Sequence, residues 1–293
     1  MEILENVYLS GFCTYRTGGR ARYLAKPKNA GELKSALEFA RSKSIPYEII
    51  GAGSNLLFSD AGVDALVICM VDFEHFIKQD GLVFTVGAGV MLNELVSRAC
   101  EGGHSGLERL VGIPGSVGGA VMMNAGAFGA EIKDVVRRIN VMELADGSFE
   151  IHLIDASEAK FAYRTADGLA GKVVLGAELV LNQGDKSAIN EVRQKLLKDR
   201  TTKQPLGLPS CGSVFRNPNS KYGVSAAELI ERTKLKGACL GGAQVSLKHA
   251  NFIVNTGGAK SSDIYSLIEQ VKDLVYVESG ILLAEEVRYV GNF

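Results

Sequence analysis

Two glycine-rich segments carry the plainest chemistry in this chain. The first, Gly51-Ala52-Gly53-Ser54-Asn55-Leu56-Leu57, follows a short apolar run at residues 47–50. Glycines placed just after a strand let backbone N–H groups approach a phosphate, and Ser54 and Asn55 add polar partners. The segment departs from the dinucleotide fingerprint GxGxxG, because Leu56 stands where the third glycine belongs. A plain glycine-rich turn between strands is its other reading. The second segment, Gly112-Ile113-Pro114-Gly115-Ser116-Val117-Gly118-Gly119-Ala120, continues to Asn124-Ala125-Gly126-Ala127-Phe128-Gly129. Pro114 sets a turn, and the small residues after it can lay their backbone along an elongated ligand with successive N–H groups turned to a pyrophosphate. Close packing of a Gly- and Ala-rich helix on a sheet is the alternative. Two such segments suggest a dinucleotide held between them, and FAD suits them better than NAD because the Rossmann spacing is missing.

Three further residues offer competent chemistry. Arg164 is a permanent cation, Ser213 a hydroxyl in a turn-like run, and Glu286 a carboxylate beside apolar Val287. Each alone has an ordinary reading, as a surface cation, a turn hydroxyl and an exposed strand charge. The four His residues (His75, His104, His152, His249) are scattered, with no triad or metal-ligand spacing. The five Cys are odd in number and no two stand at CxxC spacing, which argues against a disulfide framework or a zinc site.

The elements that must position these groups follow from composition and pattern. At 293 residues the chain has room for two domains, and 46% hydrophobic with 22% charged residues is the balance of a packed globular protein. A net charge of −1 disfavours nucleic acid or an anionic membrane as the main partner. Residues 1–12 lack a basic region and a long apolar core, and no run is long and apolar enough to insert in a membrane, so a reducing cytoplasm is expected. Helical periodicity marks residues 30–43, 91–100, 188–198, 226–233 and 262–278; strand patterns mark 21–25, 47–50, 66–70, 83–86, 173–181, 252–254 and 281–290, with another around Val214. Residues 135–144 and 149–153 read as a hairpin about Asp146-Gly147. This mixture means α+β rather than a regular doubly wound sheet. The charged, then Pro- and Gly-marked stretch at 198–212 is the expected junction.

The motifs together resemble the UDP-N-acetylenolpyruvoylglucosamine reductase family, almost end to end. The two glycine segments resemble its FAD-pyrophosphate loops, with contacts expected from Gly51, Ala52, Gly53, Ser54 and Asn55, from Gly112, Ile113, Pro114, Gly115, Ser116, Gly118 and Gly119, and from Asn124, Ala125 and Gly126. Thr14-Tyr15-Arg16-Thr17-Gly18-Gly19 is similar to its flavin-contacting turn, bringing in Tyr15 and Arg16. Phe161-Ala162-Tyr163-Arg164 resembles the motif of the active-site arginine, which maps to Arg164 with Tyr163 at the substrate. Residues 200–205 resemble a motif that places Lys203 on the substrate. Cys211-Gly212-Ser213-Val214-Phe215-Arg216-Asn217-Pro218 resembles the proton donor's motif, mapping the donor to Ser213 and substrate contacts to Arg216, where relatives often have Lys, and Asn217. Glu286-Val287-Arg288 resembles the last motif, whose Glu is catalytic; Glu285 stands where Pro is common.

The resemblance implies a vanillyl-alcohol-oxidase-type FAD-binding fold with a smaller α+β substrate-binding domain. It divides the chain into an FAD-binding region at 1–198, in subdomains of about 1–70 and 71–198, and a substrate domain at 199–293. It implies NADPH-driven reduction of UDP-N-acetylenolpyruvoylglucosamine to UDP-N-acetylmuramate for peptidoglycan precursors, with hydride passing from flavin N5 to the enolpyruvyl C3 and a proton from Ser213 to C2. The length matches the shorter subtype, without an inserted loop bearing a substrate-clamping Tyr. No obligate protein partner is implied. The competing readings are a flavin oxidase of the same fold, a non-catalytic nucleotide-sugar binding protein and a phosphate-binding scaffold.

Overall fold

The computed structural model describes residues 1–145, 147–218 and 222–293, and of residue 144 the backbone alone. Asp146 of the expected hairpin turn lies outside the described residues. The chain forms two compact units. Unit one comprises Met1–Ile3, Leu24–Ala52 and Leu66–Arg200; unit two comprises Leu4–Tyr23, Gly53–Ala65 and Thr201–Phe293.

Unit one is built on a five-stranded antiparallel sheet in the order Ser148–Asp155, Val136–Ala145, Val173–Val180, Val83–Gly87, Ile77–Asp80. Phe84 and Val86 are buried around exposed Thr85, the alternation of a strand with one face on the core. Helix α1 (Ala30–Ser42) buries Leu33, Ala36, Leu37 and Ala40, a helical stripe, and Asn29 caps it by accepting from the Glu32 amide at 3.0 Å. Helix α2 (Leu92–Glu101) sets Leu92, Leu95, Val96 and Ala99 into the same core as the sheet's Ile139, Val141 and Leu179.

A third helix, α3 (Val117–Met122), forms inside the second glycine segment. Two consecutive glycines make it a poor helix by propensity. It holds because Ser116 caps it and because its first amides have partners: Val117 N–H donates to Val90 O at 2.8 Å and Gly118 N–H to Ala88 O at 3.0 Å. That approach needs a bare Gly118, where a Cβ would lie 2.9 Å from the Ala88 methyl. Helix α4 (Lys186–Lys203) runs five residues further than its pattern indicates, carrying the chain from unit one into unit two.

Unit two contains α5 (Ala226–Arg232), opened by a Ser225/Glu228 capping box, and α6 (Ser261–Ser279), which buries Ile264, Leu267, Ile268, Val271 and Val275 and ends at Gly280 with φ +69°. A three-stranded antiparallel sheet joins Cys239–Leu240, Ala243–Val245 and Ile253–Asn255, and Leu56–Phe58 pairs in parallel with Arg288–Val290. The long strand expected at 281–290 is only Arg288–Val290, and the one around Val214 is an isolated bridge between Phe215 and Glu285. The reason is local. The Val214 carbonyl accepts from two successive amides, Glu286 at 2.7 Å and Val287 at 3.3 Å, which no regular ladder allows.

The start of α6 depends on a distant carboxylate. Asp60 Oδ1 and Oδ2 accept from the Ser261 and Ser262 amides, each at 2.8 Å. Burial raises the Asp60 pKa, but these hydrogen bonds outweigh it and the net shift is downward. A depressed carboxylate stabilises the fold above its unfolded pKa and loses that contribution as pH falls through its folded one. Asp60→Asn is therefore expected to lower stability at neutral pH by roughly 1 kcal/mol. The difference should close at strongly acidic pH, as checked by denaturant unfolding at both.

Candidate active site

Unit one brings together the Arg164 turn and most of the second glycine segment. Phe161–Ala162 pairs with Thr165–Ala166, so Tyr163 and Arg164 form the tip of a tight hairpin. Arg164 has φ +59°, a left-handed conformation uncommon for a long side chain and frequent at functional positions. Its Nη2 donates to Gly126 O at 2.8 Å, and its guanidinium lies 5.1 Å from the Tyr163 ring centroid. Asn124 braces this turn. It is fully buried with φ +40°, donates from Nδ2 to Ala162 O at 2.9 Å and to Glu131 Oε2 at 3.0 Å, and accepts from the Lys133 amide at 3.3 Å. The Asn124 side chain is thus turned to the protein rather than toward a ligand, and Gly126 has a structural duty: a Cβ there would sit 2.7 Å from Ala130 O. Burial raises the Glu131 pKa, yet hydrogen bonds from Lys133 and Asn124 and the charges of Lys133 and Arg164 bring it below its ordinary value.

The two glycine segments meet within this unit. A Cβ on Gly51 would come 2.6 Å from Ser116 Oγ, so glycine is what lets the turns touch. Of the amides expected to feed a pyrophosphate, that of Gly112 donates to Asn93 Oδ1 at 2.7 Å and that of Ile113 to Leu110 O at 3.2 Å, while Val117 and Gly118 are engaged as above. Gly119 differs. It is half-buried in α3, and a Cβ there would meet nothing nearer than Ser116 Oγ at 3.6 Å. Ala125 is also half-buried, and Pro114 is exposed.

Sequence reading missed Arg200. It named Lys203 from that motif, and Lys203 is exposed at the end of α4 in unit two. Arg200 is buried in unit one, its guanidinium 5.4 Å from the Phe128 ring centroid and its Cδ 2.6 Å from where a Gly112 Cβ would be. Burial first, and the charge of Arg164 second, lower its pKa. A signal existed: residues 189, 193, 196 and 200 share one helical face, and Ile189 and Leu196 on that face pack into the core.

Unit two holds Ser213 and Glu286 on adjoining backbone segments. Val214 O accepts from Glu286 N, Arg216 N donates to Ala284 O at 2.9 Å, and the Glu286 carbonyl accepts from Asn55 Nδ2 at 2.8 Å. Asn55 also accepts from the Arg288 amide at 3.0 Å, so a residue expected to touch the cofactor anchors the Glu286 segment. Glu285 is committed elsewhere: its Oε1 lies 2.5 Å from Lys272 Nζ, which also pairs with Glu269. Asn217 Oδ1 accepts from the Ala226 amide at 3.1 Å, helping open α5, and Arg216 is half-buried. Gly53, with φ +65°, packs against the Phe12 carbonyl, where any Cβ would collide, and accepts from the Thr14 amide at 3.1 Å. In that turn Arg16 is exposed at φ +59°, but Tyr15 has no accessible surface at all, so its side chain offers nothing for a ligand to touch. Ser54 and Ala52 are half-exposed.

Asn124→Ala tests the brace on Arg164. Losing the hydrogen bonds to Ala162, Glu131 and Lys133 in a buried position is expected to cost about 1–3 kcal/mol in denaturant unfolding.

Comparison with known proteins adds the family. Residues 21–151 match the family profile described as FAD binding domain, and residues 204–290 match that of the UDP-N-acetylenolpyruvoylglucosamine reductase C-terminal domain. The UDP-N-acetylenolpyruvoylglucosamine reductase of Lactobacillus johnsonii is 40% identical over all of this chain and 96% of its own length. That of Nostoc punctiforme is 43% identical over 99% of this chain and 87% of its own. The crystal structure of UDP-N-acetylenolpyruvylglucosamine reductase (MurB) from Thermus caldophilus superposes with a TM-score of 0.83 at 35% identity, covering 99% of this chain and 98% of that one. With such identity sustained from end to end, the chain belongs to the UDP-N-acetylenolpyruvoylglucosamine reductase family.

Proposed function

We propose that this protein reduces UDP-N-acetylenolpyruvoylglucosamine to UDP-N-acetylmuramate with NADPH and FAD, supplying precursors for peptidoglycan. The observation that carries the reading is the pairing of the Ser213 and Glu286 segments through the Val214 carbonyl, which sets a hydroxyl and a carboxylate on neighbouring strands of backbone. Full-length identity to relatives of that name supports it. Residues 1–198 are assigned to flavin and 199–293 to the sugar nucleotide, in keeping with the two profile matches.

The residues present fit FAD. Gly119 leaves room that an alanine methyl would fill, inside a helix that alanine would favour, so its use points to the close approach of a ligand to this backbone. Gly51, Ala52, Ser116, Gly119 and Ala125 of unit one are residues that would hold it, with Asn124 and Gly126 acting behind them. When bound, FAD supplies hydride transfer from NADPH to the enolpyruvyl ether.

The chain's own groups then have defined tasks. Hydride arriving at C3 builds negative charge toward the substrate carboxylate. Arg164, permanently charged and fixed by Gly126 O, binds that carboxylate as the charge grows. Ser213 gives its hydroxyl proton to C2, completing the lactyl ether. Glu286, the carboxylate that the last motif selects, takes the remaining acidic role. Tyr163, Lys203, Arg216 and Asn217 are assigned to the sugar nucleotide. Five free thiols suit a reducing compartment, and we place the protein in the cytoplasm. Among the described residues no helix is long and apolar enough to cross a membrane.

The purified protein should show a flavin absorption band that bleaches with NADPH under anaerobic conditions and returns on adding the enolpyruvyl sugar nucleotide. A band that returns only with oxygen would indicate an oxidase, and a colourless protein that neither takes up FAD nor oxidises NADPH would leave only a binding role. Gly119→Ala separates scaffold from site. It should stabilise the FAD-free protein by about 0.5–1 kcal/mol, read by thermal unfolding, while FAD retention on gel filtration falls.

A further inference from the structure

We infer that Tyr15 and Cys211 are positioning residues for Ser213, joined by a buried thiol-to-phenol hydrogen bond that sets the turn on which Ser213 sits. The inference rests on the functional reading above, in which Ser213 is the proton donor.

The Cys211 thiol donates to Tyr15 Oη at 3.3 Å. Tyr15 is 0% and Cys211 5% exposed, so solvent does not compete for this bond. Tyr15 is itself fixed, its carbonyl accepting from Asn255 Nδ2 at 2.9 Å. Cys13 in the same turn is tied down by its thiol, which donates to Thr17 O at 3.3 Å.

The need for such a fixture is seen by following the chain past Ser213. On the far side, Val214 N–H donates to Asn251 O at 2.9 Å, Val214 O receives two amides, and Phe215 exchanges hydrogen bonds with the Asn251 side chain, N–H to Oδ1 at 2.9 Å and O from Nδ2 at 2.8 Å. On the near side stands Gly212, with φ +84° and open space around the place of its missing Cβ. A glycine that nothing packs against leaves the chain free to swivel. The next residue back, Cys211, is where the swivel is stopped, and its side-chain tie is the bond to Tyr15.

The chemistry of the pair suits a fixture. Burial pushes the Cys211 thiol up to about 12, its hydrogen bond with Tyr15 partly opposes this, and the charge of Glu286 adds to the rise. Burial likewise pushes Tyr15 well above its ordinary range. Both stay protonated at any working pH, so the bond persists across it. Neither takes part in proton transfer; they fix where the donor stands. A purely packing role would be met equally by Phe at 15 and Ala at 211.

Stopped-flow flavin absorbance on the holoenzyme resolves the two half-reactions, and Tyr15→Phe, Cys211→Ala and Cys211→Ser are the variants. Tyr15→Phe keeps the ring and removes the acceptor. Reduction by NADPH should stay within about twofold of wild type, while reoxidation by the enolpyruvyl sugar nucleotide slows by roughly tenfold to a hundredfold, the cost of misplacing a reacting group by about 1 Å. The slowing should fall on the maximal rate, with the half-saturating concentration little changed. Cys211→Ala should do the same, and Cys211→Ser, which keeps a donor, should recover most of the rate. Independently of turnover, the infrared S–H band isolated by subtracting the Cys211→Ala spectrum should shift in Tyr15→Phe. Unchanged reoxidation in Tyr15→Phe, equal slowing of both half-reactions, or an unshifted S–H band would overturn the positioning role. A wild-type protein that the sugar nucleotide fails to reoxidise would instead overturn the functional reading, and this inference with it.

Discussion

The segments that the motifs mark are largely irregular, and irregular backbone persists inside a protein only where its amides and carbonyls find partners. That requirement organises both units. In unit one, the first amides of α3 are taken up by the Val90 and Ala88 carbonyls, so the second glycine segment is welded to the turn that follows the Val83–Gly87 strand. In unit two, the Val214 carbonyl takes two amides at once, breaking the ladder at Glu286. Neither arrangement is helix or sheet, yet each is as constrained as either.

Glycine is the means in the first case and side-chain amides are the means in the second. Gly51 and Gly118 remove the Cβ that would hold backbones apart, at 2.6 Å from Ser116 Oγ and 2.9 Å from Ala88 Cβ. Asn55, Asn124, Asn251 and Asn255 instead bind backbone groups across long stretches of sequence. An Asn side chain can donate and accept together, so one residue can replace a strand neighbour where no strand is possible. Asn55 and Asn124, which look like ligand contacts by motif, also anchor backbone remote in sequence.

The charged groups divide in the same way. Arg164 has a defined bond to Gly126 O and sits in a strained turn, while Arg200 is buried close enough for the two charges to oppose one another. Glu131, whose pKa the Arg164 charge helps to lower, offsets part of that repulsion. Glu285, the sequence neighbour of Glu286, is held by Lys272.

Much of this was legible in the chain itself. Apolar spacing located α1, α2, α5 and α6 to within about two residues, since a buried face imposes its own period. The glycine segments and the motifs around Arg164, Ser213 and Glu286 were visible because each is a fixed local order of residue types. Tertiary structure decided the rest. Helix α3 stood only as the alternative reading of its segment because its stability comes from the Ala88 and Val90 carbonyls and not from propensity, and the strand expected at 281–290 shrank because Val214, some seventy residues earlier, captures two of its amides. The burial of Tyr15 against Cys211 and of Asn124 against Ala162 likewise depends on partners remote in sequence. Local order can announce which groups are present, but which of them face a ligand and which hold the others in place is settled only when distant backbone polar groups choose their partners.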